Sequence, residues 1–162
     1  MGHRRRGHSW YRGMSPAPYD DETRRCLAAL TPVVDADRAR HVWETALDAD
    51  WHGTPVWFHG DVAAGNLLVR GGELSAVIDF GTSGVGDPAC NLVIAWTKFT
   101  GPSRAAFRAA VGQDDATWAG AHGWQLWKSL LVLSQTLDTA PDEAAGTRRL
   151  VEEMLAEHDR FG

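Results

Sequence analysis

Three polar side chains whose spacing suits metal chemistry follow apolar runs in the middle of the sequence. Asp61 and Asn66 lie five positions apart in the segment HGDVAAGN, which follows Val56-Trp57-Phe58. Asp79 ends a second apolar run, in VIDFG. Carboxylate and amide oxygens are good ligands for Mg²⁺, which usually keeps several waters and shares phosphate oxygens with a substrate. The sequence therefore predicts an oxygen-rich site for magnesium and a phosphorylated ligand.

A predicted hairpin joins the two polar clusters. Leu67 to Arg70 and Leu74 to Phe80 are strand-like runs on either side of Gly71-Gly72, a pair that tolerates the positive φ of a two-residue primed turn. With the short strand Val56 to Phe58, they predict one small sheet carrying both clusters at the same edge. The segment GTSGVGDP that follows predicts a mobile glycine-rich loop, and it lacks the Lys-Ser/Thr ending of a P-loop.

Helices are predicted on both sides of these strands. Capping residues and apolar spacing indicate a helix beginning at Asp20 and a second from Asp35 to about Ala49. Asp87 and Pro88 predict a helix from Pro88 to about Phe99, and further helices are expected at 103–111, after Asp114 and from Pro141. The expected fold class is α+β and mostly helical, with an irregular segment at 1–19 and one compact domain at 20–162.

The order of these motifs resembles a known family. Asp61, Asn66 and Asp79-Phe80-Gly81 follow the order of the protein-kinase catalytic aspartate, metal-binding asparagine and Asp-Phe-Gly. The form His59-Gly60-Asp61 is similar to the aminoglycoside phosphotransferase (APH) family, and VGDPACNL resembles the Gly-Asp-Pro segment of that family. The resemblance covers most of residues 12–155 and implies the C-terminal lobe of a protein-kinase-like fold.

The resemblance also implies roles for individual residues. Asp61 would be the catalytic base or orienting acceptor for the hydroxyl of a small molecule, an antibiotic or a metabolite. Asn66 and Asp79 would hold Mg²⁺ that bridges the phosphates of ATP or GTP. The loops around them would be supported by four further residues: His59, Gly60, Gly81 and Asp87, the last as a helix cap.

One part of a complete enzyme of this kind is not recognisable in the sequence. The family fold implies a glycine-rich lid over the phosphates and a lysine on a strand, whereas the residues before His59 contain no lysine and no series of apolar strands. We therefore expect the C-terminal lobe only, without the N-terminal nucleotide-clamping lobe. Such a chain would expose apolar surface and would either need a lobe from elsewhere or self-associate.

Two other functions fit the same residues. The chain could be a truncated remnant that folds without transferring phosphate, or a module that binds a cationic small molecule in an acidic cleft. Five acidic residues could line such a cleft or simply form solvated helix faces: Asp114, Asp115, Asp138, Asp142 and Glu143.

Composition excludes several other classes. The 162 residues carry a net charge of −5 and no basic stripe outside Arg4, Arg5 and Arg6, which argues against nucleic-acid binding. No run approaches the roughly 20 apolar residues of a membrane span. Cys26 and Cys90 lie far apart, so two reduced, buried thiols in a cytoplasmic protein are expected.

Overall fold

The computed structural model describes residues 11–161, which contain six α-helices and four short strands. The helices are α1 (Asp20–Leu30), α2 (Ala36–Asp48), α3 (Ile94–Thr97), α4 (Gly101–Val111), α5 (Asp115–Thr136) and α6 (Pro141–Phe161). The strands are β1 (Val56–Phe58), β2 (Leu67–Arg70), β3 (Glu73–Val77) and β4 (Gly84–Gly86). Short 3₁₀ helices occupy Ala17–Tyr19, Ala64–Asn66 and Pro88–Asn91. The α+β class predicted from the sequence is confirmed.

The long helix α5 is the centre of the core. It packs against α1, α2, α6 and the 3₁₀ helix Pro88–Asn91. Asp114 caps it by accepting a 2.8 Å hydrogen bond from the Thr117 backbone N–H, so one of the unpaired donors of the first turn is satisfied. Its buried apolar side chains each contribute about 1.5–3 kcal/mol: Trp118, Trp124, Leu126, Leu130 and Leu133.

The segment before α1 belongs to the same packed unit from Tyr11 onward. The Tyr19 ring stacks on Trp127 of α5 with 3.9 Å between ring centroids. The indole N–H of Trp124 donates to the Met14 carbonyl oxygen at 3.3 Å. Residues 1–10 of the predicted irregular segment lie outside the described residues, so the predicted boundary at residue 20 stays a prediction.

The strands form two separate sheets, so the expectation of one small sheet is wrong. β1 pairs antiparallel with β4, and β2 pairs antiparallel with β3. The segment GTSGVGDP, predicted as a loop, supplies β4. Its glycines leave room for a neighbouring ring, because a Cβ on Gly84 would lie 2.8 Å from Phe58 Cζ. That packing depends on a partner strand distant in sequence, which local patterning does not reveal.

The hairpin turn agrees with its prediction, but the second strand is shorter than expected. Gly71 and Gly72 have φ of +61° and +87°, the left-handed values of a primed turn. β3 ends at Val77 instead of continuing to Phe80. The reason is local: Asp79 has φ of +62°, which is incompatible with a continuing strand.

The predicted helix from Pro88 to about Phe99 is also interrupted. Asp87 and Pro88 do begin a helical turn, but it is a 3₁₀ helix that ends at Asn91, and α3 follows from Ile94. Asn91 is held at this break by a tertiary contact, because its side-chain oxygen accepts a 2.9 Å hydrogen bond from the Gly60 backbone N–H.

Apolar side chains are exposed on both sheets, as the sequence led us to expect. Trp57 and Val85, which face each other in the β1–β4 register, are 61% and 66% exposed. The whole set, in which Ile78 and Phe80 lie just beyond the end of β3, is called the exposed strand residues: Val56, Trp57, Leu68, Val69, Leu74, Ile78, Phe80 and Val85. The centroids of the Trp57 and Phe80 rings lie 5.9 Å apart, so the exposed strand residues extend from β1 to the end of the β2–β3 hairpin.

Both cysteines are buried and free, as predicted. Burial raises the pKa of the Cys90 thiol to about 11. Within residues 11–161, no helix combines the length and the apolarity needed to cross a membrane.

Candidate active site

A turn that requires glycine carries the chain from β1 to Asp61. Gly60 has φ of +87°, and a Cβ built on it would lie 2.4 Å from the backbone oxygen of Thr82. Its N–H donates to the Asn91 side-chain oxygen. Asp61 follows immediately, and its side chain is 35% exposed, so its carboxylate is partly open to solvent.

Asn66 is bonded directly to Asp61. Its side-chain nitrogen donates to the Asp61 backbone oxygen at 2.9 Å and approaches the carboxylate Oδ2 at 3.4 Å. Because the nitrogen is the end of the amide that faces Asp61, the amide oxygen faces away from it. The backbone oxygen of Asn66 accepts a 3.0 Å hydrogen bond from the Ile78 N–H, which places Asn66 beside the residue that precedes Asp79.

Asp79 lies just beyond the paired part of the hairpin in a strained conformation. Its φ of +62° is uncommon for a residue other than glycine and costs about 1–2 kcal/mol. Such strain persists only where the surroundings impose it, and it is frequent at functional sites. Gly81 lies close by, since a Cβ on Gly81 would be 3.4 Å from Asp79 Oδ1. The side chain of Asp79 is exposed.

His59 connects the loop of Asp61 to the strand end of Asp79. Its Nδ1 accepts a 3.2 Å hydrogen bond from the Asp61 backbone N–H, so the proton of a neutral ring is on Nε2. Nε2 then donates to the Ile78 carbonyl oxygen at 2.8 Å. The ring is buried and lies 4.5 Å from the Phe80 ring. One imidazole thus joins the two polar clusters although their strands belong to different sheets.

Asp87 is placed differently from the other predicted site residues. It is buried, and its Oδ1 accepts a 2.8 Å hydrogen bond from the Ala89 backbone N–H, the capping role expected from the sequence. Burial raises the pKa of this carboxyl. Its backbone N–H donates to the Gly13 oxygen. In the described structure its hydrogen bonds go to these neighbours and not to Asp61, Asn66 or Asp79.

Lys128 is a site residue that the sequence reasoning did not select. Its Nζ lies 3.6 Å from Asp61 Oδ1, reaching the carboxylate from the middle of α5. A signal was available, because Lys128 is the one charged residue in the largely apolar run Trp124 to Leu133 and is one of only two lysines in the chain. What the sequence could not show is which loop that face of α5 meets.

The oxygen atoms of this site suit magnesium, which completes its coordination with water and phosphate, better than a metal whose ligands all come from protein side chains. Among residues 11–161, no three His, Cys, Asp or Glu side chains are grouped so that they could hold a metal ion. Asp79 offers a carboxylate and Asn66 an amide oxygen, on neighbouring positions of the hairpin. One or two protein oxygens completed by water and phosphate are the usual magnesium arrangement in phosphate-binding sites.

A family model decides which class of protein this site belongs to. The model of the phosphotransferase enzyme family (APH) matches residues 4–126, more than half of the chain, and includes all the site residues up to Asp87. The chain belongs to the APH phosphotransferase family. No curated protein and no solved structure gave a significant match. Family membership gives the enzyme class, phosphotransferase, and agrees with the kinase-like α+β lobe.

The matched region of this APH member contains one departure that its structure explains. The resemblance of VGDPACNL to the Gly-Asp-Pro segment of the family implies an aspartate where this sequence has Asn91. The role observed for this side chain is to accept the Gly60 N–H, and an amide oxygen performs it as a carboxylate would. The substitution therefore keeps the hydrogen bond that supports the turn before Asp61.

Proposed function

We propose that this chain carries the catalytic site of a nucleotide- and magnesium-dependent phosphotransferase that acts on a hydroxyl group of a small molecule. The observation that carries the proposal is the bonded junction of Asp61, Asn66 and Ile78-Asp79 in a member of a phosphotransferase family. Its phosphoryl donor would be ATP or GTP, and its acceptor an antibiotic or a metabolite.

In this proposal the acceptor hydroxyl binds at the Asp61 carboxylate. A general base must come within about 2.6–3.2 Å of the proton that it receives, and the partly exposed Asp61 carboxylate is accessible for this. Asn66 holds the Asp61 backbone through the hydrogen bond to its carbonyl oxygen, and the same nitrogen approaches the carboxylate Oδ2 at 3.4 Å. Phosphoryl transfer depends mostly on positioning and on stabilising charge, so a rigid Asp61 is the main contribution of this loop.

Asn66 and Asp79 are the residues that would hold magnesium. Bound Mg²⁺ would neutralise charge on the phosphate oxygens of the donor nucleotide. His59 sets the spacing between these ligands and Asp61, because its ring bonds to the Asp61 N–H at one end and to the Ile78 oxygen at the other. Gly60 allows the close approach to Thr82 that its loop needs, whereas a Cβ on Gly81 would make only ordinary contact with Asp79 Oδ1.

The exposed strand residues are, in our proposal, the surface on which a nucleotide-clamping segment packs. A lysine-bearing strand region could be supplied by a longer form of this chain or by a second chain. Apolar exposure beside the proposed magnesium ligands supports this placement, since Phe80 directly follows Asp79 and is 47% exposed. Without such a segment, we expect the same surface to drive self-association. The free, buried cysteines support a reducing, cytoplasmic setting.

The test begins with metal binding, because it does not require turnover. Mn²⁺ can replace Mg²⁺ and be followed by electron paramagnetic resonance, with and without ATP. We expect saturable binding in the presence of ATP that is lost in Asp79→Asn and kept in Asp138→Asn, a matched change of an exposed aspartate in the turn after α5. Equal binding by all three proteins would remove the proposed metal site.

The second stage measures phosphate transfer. The chain is mixed with a nucleotide-clamping lobe and with ATP or GTP labelled in the γ-phosphate. Transfer of the label to hydroxyl compounds is then measured. We expect magnesium-dependent transfer that Asp61→Asn reduces by about 10²–10⁴-fold, the usual contribution of a positioned base. Metal binding without transfer to any hydroxyl compound would favour the non-catalytic remnant or the binding module.

A further inference from the structure

The Asp61 carboxylate has a cationic side chain next to it. Lys128 Nζ lies 3.6 Å from Oδ1, while Asn66 Nδ2 lies 3.4 Å from Oδ2, so each carboxylate oxygen faces a donor. The Lys128 side chain is 45% exposed, which leaves its ammonium group in contact with solvent as well as with Asp61. It can therefore contact a molecule bound in front of the carboxylate.

An acceptor bound at Asp61 would lie within the electrostatic range of this ammonium group. A reacting hydroxyl must lie about 2.6–3.2 Å from the carboxylate. A hydroxyl bonded to Oδ1, the oxygen that Lys128 approaches, would lie within about 7 Å of Lys128 Nζ, the sum of the two distances. That separation is shorter than the screening length of about 8 Å at physiological salt. A charge on the acceptor close to its hydroxyl would therefore interact with Lys128.

Two of the acidic residues named for a cationic cleft lie at the ends of α5, away from Lys128, and two more begin α6. Asp114 caps the start of the helix, bonded to Thr117, and Asp138 follows its end. At 1.5 Å per residue they are displaced along the helix axis by about 20 Å and about 15 Å from Lys128. A closer carboxylate, Glu22, accepts a 2.7 Å hydrogen bond from the indole N–H of Trp127. The carboxylate at the reaction centre is thus the one that Lys128 neutralises.

We propose that Lys128 makes the acceptor site discriminate against cationic hydroxyl compounds and favour those with a carboxylate or other anionic group near the reacting hydroxyl. The inference rests on the acceptor role proposed for Asp61. Lys128 acts by placing positive charge beside the acceptor and by cancelling the negative charge of Asp61. An amine on the acceptor would meet repulsion, whereas an anionic substituent would gain a partner.

Three pyranoses of similar shape and different charge test the proposal by binding alone. Glucosamine, glucose and glucuronate are titrated into the protein, and the backbone amide signals of residues 59–66 and of Lys128 are followed by NMR. We expect glucuronate to bind more tightly than glucosamine by about three- to tenfold, the range for a partly exposed charge pair. Lys128→Gln should abolish the difference, and Lys128→Arg should retain it.

The control is the same substitution at the other lysine of the chain. Lys98 follows α3 and is exposed, so Lys98→Gln removes an equal charge without touching Asp61, and it should leave the ranking unchanged. Failure of glucuronate to bind, a preference for glucosamine, or an unchanged ranking in Lys128→Gln would each overturn the proposal. The metal site and this inference can fail separately. If Lys128→Gln abolishes the preference for glucuronate but Mn²⁺ binding does not depend on Asp79, the metal site is overturned and this inference stands.

Discussion

Replacing Gly60 with alanine tests whether the turn before Asp61 depends on glycine for two separate reasons. The first is its φ of +87°, which costs an alanine about 1–2 kcal/mol. The second is space: the new Cβ would lie 2.4 Å from the Thr82 backbone oxygen, which cannot rotate away. Overpacking of this kind adds about 1–3 kcal/mol. We expect Gly60→Ala to lower the free energy of unfolding by about 2–5 kcal/mol.

Two other glycines provide controls that separate these costs. Gly71 has φ of +61° with no atom near its Cβ position, so Gly71→Ala should lose about 1 kcal/mol for the backbone conformation alone. Gly65 has open space and no positive φ, so Gly65→Ala should be neutral or slightly stabilising. The three variants thus form a series with neither cost, one cost and both.

Thermal and urea unfolding followed by circular dichroism measure this series. For a chain of this size about 1 kcal/mol corresponds to about 2–4 °C, so Gly60→Ala should melt roughly 4–20 °C below the unchanged protein. The m-value in urea should stay constant, because the surface exposed on unfolding is the same. If Gly60→Ala were no less stable than Gly71→Ala, the close approach of Gly60 to Thr82 would be refuted.

Three further predictions concern buried polar groups. Burial lowers the pKa of His122 to about 4. As the pH falls, the unfolded chain takes up the proton first, because its histidine has a pKa of about 6.5. The free energy of unfolding should therefore be unaffected above pH 6.5 and should fall by about 3 kcal/mol between pH 6.5 and pH 4. Urea unfolding across that range measures the loss, and His122→Leu should flatten it. Asn91→Asp should keep the hydrogen bond from the Gly60 N–H and change stability little. Asn91→Leu should cost about 1–3 kcal/mol, because it leaves that donor unpaired. Similar melting temperatures for the two variants would contradict this. Cys90, buried and with a pKa of about 11, should react with a thiol reagent at neutral pH only as fast as the protein opens, and rapid labelling of the native protein would disprove its burial.

The elements that the sequence predicted well are those specified by neighbouring residues. Asp114 and Gly71-Gly72 mark a helix start and a turn through their own backbone chemistry, and both were located correctly. β4 was missed because its Gly-Val-Gly sequence has no strand pattern and is a strand only through pairing with β1, which lies far upstream. Pairing between distant segments is decided by packing, which local propensity does not encode.

The candidate site also has some residues that the sequence predicted and some features that it could not predict. Asp61, Asn66 and Asp79 were selected from motif order; the structure bonds Asn66 to Asp61 and to Ile78, the residue before Asp79. The contact of Lys128 with Asp61 joins residues 67 positions apart, so the local sequence could mark Lys128 as unusual but could not show its partner. The positive φ of Asp79 was equally invisible, because the sequence at that point continues an apolar run typical of a strand.

The two hydrogen bonds of the His59 ring have a consequence for how this site can vary in evolution. An acceptor is needed at one end of the side chain and a donor at the other, separated by the width of an imidazole. A shorter amide could not span both loops, and an aliphatic side chain would remove the partner of both the Asp61 N–H and the Ile78 carbonyl. The position is therefore under a two-sided chemical constraint, which the side chains of the loop interior Val62-Ala63-Ala64 do not share because they can neither donate nor accept a hydrogen bond.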